Sequence, residues 1–285
     1  MAAFAPMFAA MFAAMFATAF SPANAQRVDR VERVERLERA DSIVAYPGFD
    51  ATAYPGDSAM RAWAYPSSPY RWVGYYLASP CHRDSSWTGR RAALDATGWG
   101  FAAIYVGQQD WSRMAIGRAT PHARSDSAGA PVVCSSALLT TDRARSDAAD
   151  AVAQLRAEGF ADGSTVFLDV ETVSDVTPAL LAYVRTWTAN VLSDGRYRPG
   201  IYAAKTNAQP LYAAASSVYH VARRRDRPPF WIASAANFSL ARRPSAVGID
   251  YAEIWQGIVA VSQQFNGVRL TVDVNVAARS SPSAP

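Results

Sequence analysis

Eight short apolar runs, near 46–50, 71–77, 100–106, 165–171, 199–203, 229–233, 252–256 and 269–275, alternate with longer Ala-rich stretches. That alternation limits the fold, because strands that take turns with helices build a parallel sheet with helices outside it. Helical stretches fit near 57–64, 88–97, 142–158, 177–193 and 207–221. "TTDRARSDAADAVAQLRAEGF" offers a Thr cap, a run of helix formers and Gly159 as a stop. "TPALLAYVRTWTANVLSDG" has Pro178 just inside its start and Gly195 past its end. Eight strands in this order favour an α/β fold, a (β/α)8 TIM-like barrel spanning residues 45–279. A doubly wound open sheet is the rival, and no Gly-rich dinucleotide loop supports it. Helices after strands six and seven look short or absent, so the barrel is expected to be irregular. The longest loop, 107–140, is rich in Ser, Ala and Gly.

One strand carries an anomaly. In "VFLDVE", Phe167, Asp169 and Glu171 fall on one face and Val166, Leu168 and Val170 on the other, since strand side chains alternate. The aliphatic face suits packing against helices. The acidic face then points into the barrel, and its acids come last, at the C-terminal mouth where barrel enzymes hold their chemistry. Other strands end in the same way. "YPGFD" ends in Asp50, and "RLTVDVNV" puts Thr271, Asp273 and Asn275 on one face. "EIWQG" offers Trp255 and Gln256, "AIYVGQQDW" offers Gln108 and Gln109, and "GIYA" offers Tyr202. Two carboxylates among aromatics suit glycoside hydrolysis, in which one acid protonates the leaving oxygen and the other stabilises positive charge at the anomeric carbon. Glu171 is the longer side chain and the candidate general acid. The charge of Asp169 would raise its pKa and keep it protonated. The competing chemistry is a Mg²⁺ or Ca²⁺ site formed by Asp50, Asp169, Glu171 and Asp273. No compact metal-loop motif accompanies them, so no metal or other cofactor is expected.

The remaining signals set boundaries. Lys and Arg total 28 against 24 Asp and Glu, and the arginines are scattered, which gives nucleic-acid binding little support. His82, His122 and His220 lie far apart and lack metal spacing. Residues 1–25 are apolar and end in Ala23-Asn24-Ala25, the small-x-small form of a signal-peptidase site, though no basic segment precedes it. Residues 26–44, "QRVDRVERVERLERADSIV", read as a charged linker. Residues 280–285 read as a disordered tail. The expected protein is exported, with no membrane span after signal cleavage. Its two cysteines, Cys81 and Cys134, form one disulfide if it is exported and are two buried thiols in the cytosol.

"YPGFDATAYPGD", "RWVGYYL", "CHRDSSWTGRRAAL", "GWGFAAIYVGQQ", "EGFADGSTVFLDVE", "DGRYRPGIYA", "FWIAS" and "WQG" followed by "LTVDVNVA" resemble the bacterial glycoside-hydrolase-like domain of uncharacterised exported proteins. The resemblance covers about residues 46–278. That family is in turn similar to the family 25 lysozymes, muramidases with an irregular (β/α) barrel. The resemblance implies that Asp50 matches the aspartate of a first-strand G-x-D motif. It implies that Asp169 and Glu171 match a D-x-E pair, with the glutamate as acid and the aspartate as charge stabiliser. Asp273 and Asn275 match a last-strand D-x-N, Tyr202 a fifth-strand aromatic, and Trp255-Gln256 a W-Q pair. In muramidases the acetamido group of the substrate can act as the nucleophile. On such a barrel Cys81 follows strand two and Cys134 lies after strand three, so a disulfide at the mouth is geometrically plausible.

The expectation that follows is an exported, monomeric hydrolase of cell-wall polysaccharide of peptidoglycan type. Its catalytic residues would be Glu171, Asp169, Asp50 and Asp273, with Tyr202, Trp255, Gln256, Gln108 and Asn275 contacting substrate. The alternatives are a barrel that binds wall glycan without turnover, and a structural envelope protein whose acids form a buried network.

Overall fold

The computed structural model describes residues 45–110, 134–170 and 175–285. The expected signal peptide and charged linker lie outside these residues, as do most of the 107–140 loop, His122 and Glu171.

Eight strands close into a barrel in sequence order. They are β1 (Tyr46–Asp50), β2 (Trp72–Tyr76), β3 (Gly100–Val106), β4 (Thr165–Val170), β5 (Arg198–Ala204), β6 (Phe230–Ala233), β7 (Ala252–Phe265) and β8 (Val268–Ala277). Strands β1 to β7 pair in parallel, whereas β8 runs antiparallel to both β7 and β1. The helices are α1 (Asp57–Trp63), α2 (Arg91–Asp95), α3 (Thr141–Ala157), α4 (Pro178–Asp194) and α5 (Ala208–Val221). Thr140 and Thr177 cap α3 and α4 by accepting from Arg143 N and Leu180 N, both at 3.2 Å, so each satisfies a donor that the first turn leaves unpaired. Gly195 ends α4 at φ 79°, a left-handed turn that costs glycine nothing.

The expected irregularity takes a definite form. After β6 there is only a short 3-10 turn, Pro244–Val247, and a long antiparallel ribbon of β7 and β8 stands where a helix would connect them. The ribbon extends well past the strand lengths expected from the apolar runs. Its tip docks on aromatic side chains: Phe265 lies edge-on to Trp63 at 4.9 Å and to Tyr70 at 6.0 Å. Trp63 Nε1 also donates to the Val268 carbonyl at 3.0 Å.

Aromatic rings fill the barrel interior. Trp231 meets Trp72, Phe167 and Tyr202 edge-on at 5.6, 5.8 and 5.5 Å, the geometry that aromatic quadrupoles prefer. So wide a filling needs a small partner. A Cβ on Gly48 would sit 2.2 Å from the Trp72 ring, so only glycine fits opposite it.

The last six residues correct the expectation of a disordered tail. Ser283 N donates to the Phe101 carbonyl at 2.8 Å, and Thr165 N donates to the Ser283 carbonyl at 2.9 Å. Ser283 Oγ accepts from Ala103 N at 2.8 Å, and Ser281 Oγ from Phe101 N at 3.1 Å. The tail therefore pairs with backbone groups near the starts of β3 and β4. Each such bond contributes about 1 kcal/mol net, partly offset by the entropy of ordering the tail. Deleting residues 281–285 is expected to cost about 2 kcal/mol and to lower Tm by roughly 4–8 °C in a calorimetric scan. An unchanged Tm would show that the tail adds nothing to stability.

Candidate active site

The C-terminal ends of the strands open into a cavity of about 510 Å³. Its walls include Asp50, Asp169, Asp273, Tyr202 and Gln256, which the sequence placed there, and Tyr76 and Trp231, which it did not. Alternation explains the missed pair. Tyr76 lies two residues beyond Gly74 on β2, and Trp231 pairs in register with Tyr202, so both share the interior face of their strands. The sequence signal was present in "WVGYY" and "FWIA" but carried no charge.

Asp50 is the hub. It is 4% exposed, and three donors from three strands converge on it. Tyr76 OH donates to Oδ1 at 2.9 Å. Asn275 Nδ2 and Gln256 Nε2 donate to Oδ2 at 2.8 and 3.3 Å. The Gln256 amide is shared, for its Nε2 also donates to Asp273 Oδ2 at 3.1 Å while its Oε1 accepts from Tyr202 OH at 2.6 Å. The amide turns its NH₂ towards the two acids, which accept from it, and its oxygen towards the phenol. Asn275, wholly buried, accepts Trp231 Nε1 at 3.0 Å. Gln256 therefore puts a donor, not an acceptor, between Asp50 and Asp273, where a cation bridging the two would have to sit.

Burial, then the nearby charge of Asp273, pushes the Asp50 carboxyl up from its usual 3.8 to about 7, against the lowering pull of its Asn275, Tyr76 and Gln256 hydrogen bonds. Burial also raises Asp273, opposed by the Ala260 N–H that it accepts. The Tyr76 phenol is driven well above its ordinary value by burial, then by the charges of Asp50 and Asp169. Asp169, 6% exposed, thus lies within electrostatic reach of the hub. Its carbonyl accepts from Gln109 Nε2 at 2.8 Å. Glu171 falls just past the end of β4, outside the described residues.

Two expected substrate contacts lie elsewhere. Trp255 is fully buried on the outer face of β7, packed edge-on against Phe238 at 5.1 Å, and its Nε1 donates to the Ser234 carbonyl at 2.6 Å. Adjacent strand residues face opposite ways, so Trp255 and Gln256 cannot both look into the barrel. Gln108 is buried beside α3 and α4: its N donates to Tyr183 OH at 3.1 Å and its Oε1 accepts from Ser135 N at 3.0 Å. That phenol in turn donates to Asp147 at 2.6 Å, so Gln108 serves helix packing. Asn275 sits beneath the cavity as a support for Asp50. His82 packs its ring 4.8 Å from that of Tyr76. Beside it, Cys81 and Cys134 form a disulfide with Cα atoms 5.0 Å apart, which joins the segments after β2 and β3.

The chain matches, over residues 61–277, the family described as "Rv2525c-like, glycoside hydrolase-like domain". It belongs to that family. As a glycoside hydrolase-like domain it shares its barrel with solved structures of low sequence identity. An uncharacterized B. stearothermophilus protein superposes with a TM-score of 0.54 at 17% identity, covering 82% of this chain and 96% of that one. The Clostridium perfringens spore cortex lytic enzyme SleM gives 0.52 at 16%, covering 83% and 68%. GHIP, a glycosyl hydrolase 25 of Streptococcus pneumoniae, gives 0.52 at 13%, covering 82% and 87%. A comparison with curated proteins found no match.

The buried hub has a thermodynamic consequence. Between about pH 4 and 7 the unfolded chain has released the Asp50 proton while the folded protein keeps it, so rising pH favours unfolding. Urea denaturation at about pH 4.5 and about pH 7.5 is expected to show stability falling across this window, and falling less in Asp50→Asn. Equal changes in the two proteins would mean that Asp50 does not titrate there.

Proposed function

We propose that this domain is exported and cleaves a cell-wall glycan of peptidoglycan type. The observation that carries it is Asp169, presented to a 510 Å³ cavity at the strand ends of a barrel that belongs to a glycoside hydrolase-like family. Glu171 follows two residues on in the sequence, and the family resemblance implies it as the acid of a D-x-E pair. Export is supported by the apolar segment 1–25 and by the disulfide, a bond of oxidising compartments. No helix among the described residues is long and apolar enough to cross a membrane. The substrate class is supported by two neighbours of the same fold. SleM is a spore cortex lytic enzyme, and the Streptococcus pneumoniae autolysin LytC has been solved with a synthetic peptidoglycan ligand, at a TM-score of 0.50 and 12% identity, this chain covering 46% of that one.

The chemistry follows from the acids. Glu171 gives its proton to the glycosidic oxygen as the bond to the anomeric carbon breaks. The Asp169 carboxylate stabilises the positive charge that develops on the sugar, until the oxygen of a water bonds to the anomeric carbon and its proton returns to Glu171. Asp50 serves from below: saturated by Tyr76, Asn275 and Gln256, it fixes the groups that line the floor. Tyr202 OH is held by Gln256 and faces the cavity beside Trp231, an aromatic pair suited to a sugar face.

One observation favours a second reading, a barrel that binds glycan without turning it over. Asp50 and Asp273, two of the four acids expected to be catalytic, accept hydrogen bonds on both oxygens from the protein's own donors, Tyr76, Asn275 and Gln256 for one and Ala260 and Gln256 for the other. Reducing-end release from purified peptidoglycan separates the two. Glu171→Gln is expected to lower the rate by about 10²–10⁴-fold, the usual contribution of a general acid, while glycan binding persists. If wild type and Glu171→Gln are equally inert and both bind, the hydrolase fails and the binding module stands.

A further inference from the structure

Ile258 and Val259 are two of four large apolar side chains that the described residues leave exposed, at 40% and 67%. They lie on an irregular stretch of β7, whose register against β8 shifts between Gln256 and Ile258 and again between Ile258 and Val261. Ala260 completes this bulge at φ 53°, a left-handed backbone that a Cβ disfavours. Non-glycine residues stay in that region only when their surroundings hold them there.

Two contacts do so. Ala260 N donates to Asp273 Oδ1 at 2.7 Å, a charge-assisted bond. On the outer face Phe238 covers Gly257 so closely that a Cβ there would lie 1.8 Å from its ring. Held between them, Val259 and Ala260 form one wall of the cavity, beside Thr271 and opposite Asp169 and Tyr202 across the β-barrel mouth. The other oxygen of Asp273 accepts from Gln256 Nε2. Both oxygens of this acid are thus committed to the protein's own donors, one of them to the strained residue of the wall.

We infer that Asp273 is a positioning residue: by holding the Ala260 bulge it sets the apolar wall at Val259 against which a bound sugar rests, and it neither gives nor takes a proton in the reaction. The role rests on the glycan function proposed above and differs from the catalytic role that the family resemblance implies for Asp273.

The test uses the full chain carrying Glu171→Gln, so that turnover does not disturb binding. Affinity for purified peptidoglycan is measured by sedimentation, and the Val259 methyl resonances are followed by NMR. Asp273→Ala is expected to weaken binding about tenfold and to shift those resonances. Adding Ala260→Gly, which adopts a positive φ without help, is expected to return both to within about threefold and most of the way to their original positions. A loss of binding with unmoved Val259 resonances, or a loss that Ala260→Gly does not recover, overturns the inference, because Asp273 would then act on the ligand itself. Gly257→Ala disturbs the bulge from the Phe238 side with Asp273 intact and covers the case in which Asp273→Ala does not fold. It should weaken binding to a similar degree, and unchanged binding in a folded Gly257→Ala protein also overturns the inference. If the parent protein binds no peptidoglycan, the glycan function fails and takes this role with it, whereas binding indifferent to the bulge removes the role alone.

Discussion

Closure of the barrel by an antiparallel strand is the constraint on which the rest depends. β8 lies between β7 and β1, and its register sets Asp273 opposite Asp50 and Asn275 opposite both Gly48 and Gln256. A parallel eighth strand would bring different residues to these positions. The antiparallel one delivers an acid and an amide from the same strand to the first strand's carboxylate. Burying that carboxylate is costly, because its charged form loses water. Three hydrogen bonds from β2, β7 and β8 offset part of the cost, and burial together with the nearby Asp273 charge still holds the Asp50 carboxyl above its usual range. The hub thus ties the closing strands together through a side-chain network as well as through the backbone ladder.

Much of this was legible in the sequence because strand periodicity is strict. The two faces of "VFLDVE" assigned Asp169 correctly, and the same alternation brought Asp50, Asp273 and Tyr202 to the mouth. Where the reading failed, it relaxed that rule or ran past a strand's end. Trp255 and Gln256 are neighbours on β7, and a strand can turn only one of them inward, whereas Gln108 lies past the end of β3, where alternation no longer sets its direction. Tyr76 and Trp231 were passed over because an uncharged aromatic in an apolar run resembles core. Here each is both core and site.

Other features had no sequence signature. The Ser-Pro-rich end of the chain has the composition of a loose tail, yet Phe101, Ala103 and Thr165 at the barrel base have backbone groups that it satisfies. Composition reports what a segment could bury, not which distant donors it can meet. The β7 bulge is similar. Nothing in "QGIVAV" announces a left-handed alanine, because the Asp273 oxygen that holds it comes thirteen residues later, across a ribbon whose length the apolar pattern understated.

The β7–β8 ribbon also bears on how such a pocket could be altered. A rim made of loops changes by insertion and deletion, with its shape uncertain after each change. A rim made of paired strands holds its backbone by cross-strand hydrogen bonds, and outside the bulge at 257–260 side chains along it project alternately to either side. Substitution at one exposed position, such as Val259, replaces one tile of the wall and leaves its neighbours in place. Addition of a single residue would turn every later side chain to the opposite face. This barrel should therefore be permissive to point changes along its ribbon and intolerant of changes in the ribbon's length, the reverse of what a loop-built mouth would allow.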